Sequence, residues 1–304
     1  MPEARPGKEG SAAYAGVAVA VVAVSFSSIL IRWSEADALA IAAGRMLLSA
    51  LLLLPFALTW GRKELLALPR RDLLLLTGIG LVLALHFSTW IASLGMTSIA
   101  SSVVLVTSHP VLVGLVGHFM FKERLSALNA VGIAMGLSGV LLLATGDAGE
   151  GRETLLGDLL AWLGGVAAGV YILAGRRTRQ RMSIVPYAFM VYATCAAFLL
   201  GAVLATGTPL ATLPRREWGL FLLMALGPSI LGHTVYNWAL KHVPASVVSV
   251  SLLGEPVGSI TLAYLVFAEV PPDLALAGGA IIIAGILLAT WRMGSRKDEA
   301  DTSG

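Results

Sequence analysis

The sequence predicts an all-α membrane protein. Ten transmembrane helices form two five-helix repeats of inverted topology, and both termini are cytoplasmic. Three observations predict it: the composition, the alternation of charge between loops, and a match of the chain to itself. The chain has 304 residues, 57% of them hydrophobic and 13% charged, with mean hydropathy +0.84. A soluble globular chain is about 45–50% apolar and about 25% charged. The balance argues against a soluble enzyme, a disordered chain and a nucleic-acid binder. One membrane helix takes about 20 apolar residues, so the length accommodates roughly ten spans with their turns. Net charge is +3, an excess that membrane proteins place on one side of the bilayer.

The ten apolar segments run over 12–31, 37–60, 72–94, 97–121, 126–145, 155–175, 184–206, 216–240, 244–267 and 273–292. None alternates with period two, and only helices or closed barrels satisfy their backbone in lipid, so each reads as a helix. The first follows a polar tail, residues 1–11, and is too long for a signal-peptide core, so it reads as a retained span. With the N-terminus inside, inner segments hold sixteen Lys and Arg and outer segments four, and Arg45 inside a span completes the 21. The split fits ten spans, a cytoplasmic tail at 293–304 and an inner-membrane protein. The single Cys195 permits neither a disulfide framework nor a Cys-based metal cluster within the chain. No metal or other cofactor is expected.

Shifting residues 85–142 by 146 positions aligns the chain with itself without a gap. Pro110-Val111 meets Pro256-Val257, Phe121 meets Phe267, Glu123 meets Glu269, Gly132 meets Gly278 and Gly139 meets Gly285. The repeats therefore span 12–145 and 155–292, joined by a Gly- and acid-rich connector at 146–154. Five spans per repeat is an odd number, so the copies enter the membrane from opposite sides, as in many secondary transporters.

Two such halves, each with a proline inside its fourth helix and a Glu closing it (Phe121-Lys122-Glu123-Arg124-Leu125 and Phe267-Ala268-Glu269), resemble the EamA-type drug/metabolite transporter superfamily. Gly254-Glu255-Pro256 and the run from Arg45 to Pro55 resemble its second-half and second-helix motifs. The resemblance covers about residues 14–292. It implies a carrier of small metabolites, often an exporter of amino acids or related compounds. It also implies a central cavity lined by helices 1, 3, 4, 6, 8 and 9. Two positions depart from the family pattern: His109, and Ala268 where Gly is common before the Glu.

Ionisable groups inside a membrane point to function by default. Glu255 lies inside the ninth span beside Pro256, placed to bind a substrate amine or a coupling proton. His109 holds the equivalent place before Pro110, and its alternative is a bond to Ser108 or Ser28. Pro110 and Pro256 are candidate hinges. His86 and Trp90 share a helix face, Tyr236 is the repeat-equivalent of Trp90, and Tyr171, His233 and Asn237 add to the set. Aromatics facing a cavity suit apolar or cationic ligands; interfacial or lipid-facing packing is the alternative. The expected substrate site is thus Trp90, His109, Tyr171, Tyr236, Glu255, His86 and Asn237.

Arg45 reads as structural, near the outer end of its helix, with Glu35 or Asp37 as partner. Ser25, Ser27 and Ser28 read as packing residues. So do the pairs Gly132/Gly136 and Gly165/Gly169, which serve contacts within a chain or in a homodimer alike. Glu123 and Glu269 read as loop-fixing residues. Gly136-Leu137-Ser138-Gly139 spells an intramembrane-protease motif, but Ala284 replaces Ser138 in the repeat, so helix packing explains it better. No P-loop is present, so transport would draw on gradients, with proton coupling undecided. A channel or a non-transporting scaffold is the alternative. The expected partners are a small-molecule metabolite and the lipid bilayer, not nucleic acid.

Overall fold

The computed structural model describes residues 8–109, 127–147, 151–179, 181–239 and 251–290. The described residues form helices and no strand. In chain order they are α1 (Lys8–Ser25), α2 (Ser27–Trp33), α3 (Ala38–Thr59), α4 (Arg62–Leu66), α5 (Arg70–Ser93) and α6 (Ile99–Val106). After these come α7 (Ala127–Asp147), α8 (Arg152–Arg179), α9 (Ile184–Thr206) and α10 (Arg215–Met224). A π-helical stretch, Ala225–Thr234, joins α10 to α11 (Val235–Ala239); α12 (Gly254–Phe267) and α13 (Asp273–Thr290) complete the set. Among the described residues, six helical stretches are long and apolar enough to cross a membrane: Ala15–Trp33, Ala38–Thr59, Arg70–Ser93, Arg152–Gly175, Ile184–Thr206 and Arg215–Ala239. Leu51, Leu74, Leu85, Leu141, Leu204 and Leu265 are exposed on the outside of the bundle. In water such a surface would be a liability; in lipid it is the solvated face.

The main helix pairs map onto one another when the halves are exchanged. α5 packs on α8, and α1 packs on the π stretch and α11. α6 packs on α8, and α1 on α12, while α3 meets α9, α6 meets α12 and α7 meets α13 across the exchange. The α7–α13 seam shows the symmetry most closely. A Cβ on Gly139 would lie 2.7 Å from the Gly278 carbonyl oxygen, and one on Gly285 would lie 2.6 Å from the Gly132 carbonyl oxygen. As numbering rises along α7 it falls along α13, so the two run antiparallel. Gly132 and Gly278 are repeat-equivalents, as are Gly139 and Gly285, so each contact is the image of the other. The α7 glycines pack within the chain.

Local chemistry explains the interruptions. α12 ends at Ala268, whose φ of +52° is left-handed, a conformation that favours glycine. This is the position where the family resemblance leads one to expect Gly. The π stretch contains Pro228, which lacks an N–H and clashes with the preceding turn.

Candidate functional site

The π stretch places Ser229 at the centre of the bundle, fully buried. Its carbonyl oxygen accepts bonds from the Tyr192 hydroxyl and from Thr234 Oγ1, both at 3.1 Å. Its hydroxyl accepts from Arg45 Nε at 2.9 Å. Arg45 reaches there from α3; its NH1 donates to Ser27 Oγ at 3.0 Å. The guanidinium carbon lies 4.3 Å from the centre of the Phe87 ring, a cation–π contact. Arg45 is completely buried, and among the described residues its NH2 has no hydrogen-bond partner. The expected pairing with Glu35 or Asp37 does not occur. Glu35 pairs with Arg216 at 3.2 Å, and Asp37 precedes α3 as its N-cap residue. Burial and helix geometry set the difference: a long side chain two turns into α3 finds serine hydroxyls across the bundle sooner than acids at its end.

Beside Arg45 stands a ring cluster from both halves. His86 and Trp90 stack at 5.9 Å, His233 meets His86 edge-on at 6.5 Å, and Phe87 meets His233 at 5.8 Å. Phe87 and His233 are repeat-equivalents, so they meet where the two halves meet. His86 Nδ1 bonds the Gly164 carbonyl at 2.8 Å. A carbonyl only accepts, so Nδ1 carries the hydrogen and Nε2 of the neutral ring is an acceptor. Trp90 Nε1 and the Tyr236 hydroxyl are buried, and neither has a hydrogen-bond partner among the described residues. Asn237 Nδ2 donates to the Tyr171 hydroxyl at 2.9 Å and to the His233 carbonyl at 2.7 Å.

His109 lies where α6 ends. Thr107 donates to the Val103 carbonyl at 2.7 Å, Ser108 to Leu105 at 2.7 Å, and His109 Nδ1 to Val106 at 3.2 Å. The Val103 and Leu105 carbonyls also accept backbone N–H bonds from Thr107 and Ser108, so His109 Nδ1 is the donor that serves Val106. The bond to Val106 replaces the expected alternatives, Ser108 and Ser28. Pro256 is the third residue of α12, and Glu255 N–H bonds the Leu252 carbonyl at 3.1 Å. Pro256 therefore stands in the first turn of α12, where a missing N–H is tolerated. Pro110 lies outside the described residues, as do Glu123, Lys122 and Arg124. Ser25 packs as expected, donating to the Val21 carbonyl at 2.8 Å, whereas Ser27 serves Arg45.

The structure brings Trp90, His86, Tyr171, Tyr236 and Asn237 into the interior, where the rings of His86 and Trp90 stack. Arg45, Ser27, Ser229, Phe87 and Tyr192 belong to the same centre and were not among the expected site residues. The signal for Arg45 was its charge inside an apolar run; for Ser229 it was the neighbouring Pro228.

At one end of the bundle, polar links join the halves. Arg32 donates to the Thr97 carbonyl at 2.9 Å and lies 3.8 Å from Glu269. Glu269 Oε1 accepts from Ile99 N–H at 2.7 Å, capping α6 as a loop-fixing residue would. Thr97 donates to Asp158 at 2.8 Å, and buried Glu217 accepts from Ser34. At the opposite end, Glu64 accepts from Ser183 N–H at 2.7 Å.

The family model that matches is the EamA-like transporter family, once over residues 11–145 and again over 155–291. A probable terminal-alkyne amino-acid exporter of Streptantibioticus cattleyicolor is 29% identical over 66% of this chain and 67% of its own. The aromatic amino acid exporter YddG of Ancylobacter novellus is 29% identical over 70% of this chain and 74% of its own. An uncharacterized transporter of Archaeoglobus fulgidus is 25% identical over 91% of this chain and 96% of its own. A solved crystal structure, 22% identical, superposes with a TM-score of 0.66 over 93% of this chain and 99% of the other, a likeness of fold.

Proposed function

The chain belongs to the EamA-like transporter family, a multi-pass membrane transporter and not an enzyme, and from that premise we propose that it carries amino acids or related compounds across the inner membrane by alternating access. The observation that carries this reading is buried hydrogen-bonding capacity left unused at equivalent positions of the two halves. Trp90 and Tyr236, repeat-equivalent aromatics, each hold a polar atom without a partner among the described residues. Such atoms are costly when left buried, and a ligand would satisfy them. Two relatives named as amino-acid exporters support the substrate class. The ring-on-ring packing of His86, Trp90 and His233 suits an occluded state of the site.

The proposed topology is ten spans with both termini in the cytoplasm. The antiparallel run of repeat-equivalent α7 and α13 supports inversion of the halves. The end bearing Arg32, Glu217 and Glu269 is then outside, and the end bearing Glu64 and Ser183 inside. Rocking of one half against the other would hinge near Pro110 and Pro256, and Glu255 would receive the substrate's amine. The test is a panel of amino acids, amides, polyamines, nucleosides and cationic dyes, read as a rise in melting temperature and as efflux from proteoliposomes. Amino acids are expected to raise the melting temperature and to leave loaded vesicles. A folded protein that responds to nothing in either assay overturns the proposal and favours a scaffold.

A further inference from the structure

We propose that the Arg45 guanidinium is the docking point for a carboxylate on the substrate, a deepening that rests on the carrier reading above. Arg45 is a completely buried cation, and no described acid forms an ion pair with it. Ser27 and Ser229 orient it through NH1 and Nε, and Phe87 covers one face of its plane. NH2 alone has no hydrogen-bond partner among the described residues. Hydroxyls are neutral and cannot balance the charge. A buried charge is tolerated when it is paired and hydrogen-bonded, and among the described residues no acid pairs with this one.

The geometry selects a carboxylate over a neutral acceptor. Guanidinium offers a planar fork of donors that matches a carboxylate's two oxygens. The Phe87 ring covers one face, so a ligand would meet the guanidinium at its NH2 edge, which has no hydrogen-bond partner among the described residues. The fork is held jointly by the two halves: Arg45, Ser27 and Phe87 come from the first, and Ser229 from the second. A ligand seated on it therefore touches the place where the halves must move. Glu255, placed under the proposed function to receive an amine, would complete a site for a ligand that carries both charges. The class recognised is an α-amino acid, with the carboxylate as the obligatory group.

The test compares L-phenylalanine, L-leucine and L-glutamate with their α-amides, in detergent and in proteoliposomes, for the wild type, Arg45→Gln, Arg45→Lys and Ser229→Ala. The wild type is expected to respond to the acids at concentrations roughly 10- to 100-fold below those needed for the amides, the factor that a charged hydrogen bond carries. Arg45→Gln is expected to lose that preference, Arg45→Lys to keep part of it, and Ser229→Ala to narrow it. A purely structural Arg45 would lower stability in Arg45→Gln and leave the acid-to-amide ratio unchanged, which overturns the proposal. If Arg45→Gln does not fold, the wild-type ratio and Ser229→Ala decide: equal response to acid and amide overturns it. Transport of amines or dyes with no response to any acid overturns it and leaves the carrier standing. Absence of all transport fells the carrier reading and this proposal together.

Discussion

The α7–α13 seam and the bundle's centre obey the repeat differently. At the seam, Gly139 meets Gly278 and Gly285 meets Gly132, contacts that are images of each other under the repeat. At the centre, equivalence of position is kept while chemistry diverges: Phe87 opposes His233, His109 corresponds to Glu255, and Arg45 is the cation of one half alone. Backbone packing constrains both copies alike, because any side chain at a glycine contact collides with main chain. A ligand with distinct ends places no such constraint, and a single asymmetric substrate is better held by unlike partners. The seam repeats its contacts in both halves, and the centre is where the side chains of the two halves differ.

The largest expected effect breaks the seam. In Gly285→Leu the new Cβ would lie 2.6 Å from Gly136 N and from the Gly132 carbonyl oxygen, both backbone atoms. Overpacking of this kind costs roughly 1–3 kcal/mol or more, read as a lower melting temperature. An unchanged melting temperature would mean that the seam yields easily and that its symmetry is incidental. The centre is expected to respond in the opposite way. Glu255→Gln should reduce amino-acid transport by on the order of tenfold, the loss of one charged hydrogen bond, with little change in melting temperature. His109→Ala should do the reverse, costing about 1 kcal/mol as the Val106 carbonyl loses its partner and leaving transport close to wild type. Transport and its pH response unchanged in Glu255→Gln would remove Glu255 from the site, and a loss of transport in His109→Ala would place His109 in it.

The C-terminal end of α12 sharpens the comparison with smaller effects. Ala268→Gly relieves a left-handed alanine and should stabilise by about 1 kcal/mol. An unchanged or lower melting temperature would show that the φ of +52° carries no strain. Glu269→Gln keeps an acceptor for Ile99 N–H and removes only a long, partly exposed ion pair with Arg32. Its expected effect is within about 0.5 kcal/mol, so a large fall would reveal a stronger role for this link.

Much of this was legible before any coordinates. Helical class and duplication depend on hydropathy and on self-matching at Pro, Glu and Gly, which a linear chain displays directly. The seam was foreshadowed by Gly132 and Gly139 recurring at Gly278 and Gly285. The centre was less legible, since which side chains converge depends on packing across the halves. Arg45 carries an obvious charge, yet its bond to Ser229 links residues 184 positions apart. The π stretch around Pro228 was hidden for a similar reason. A proline in an apolar span signals a defect, but the widened turn is stabilised by Tyr192 and Thr234, and Tyr192 lies on another helix. The His109 contact is of a different kind: its bond to Val106 reaches only three residues back along the chain.

The most direct test of the carrier itself is counterflow. Proteoliposomes are loaded with an unlabelled amino acid that stabilises the purified protein, then diluted into a trace of the same labelled compound. The account predicts a transient accumulation of label above equilibrium, because one site faces the two sides in turn. Simple equilibration without an overshoot would indicate a channel, and no entry beyond that of protein-free vesicles would indicate a scaffold; either contradicts alternating access.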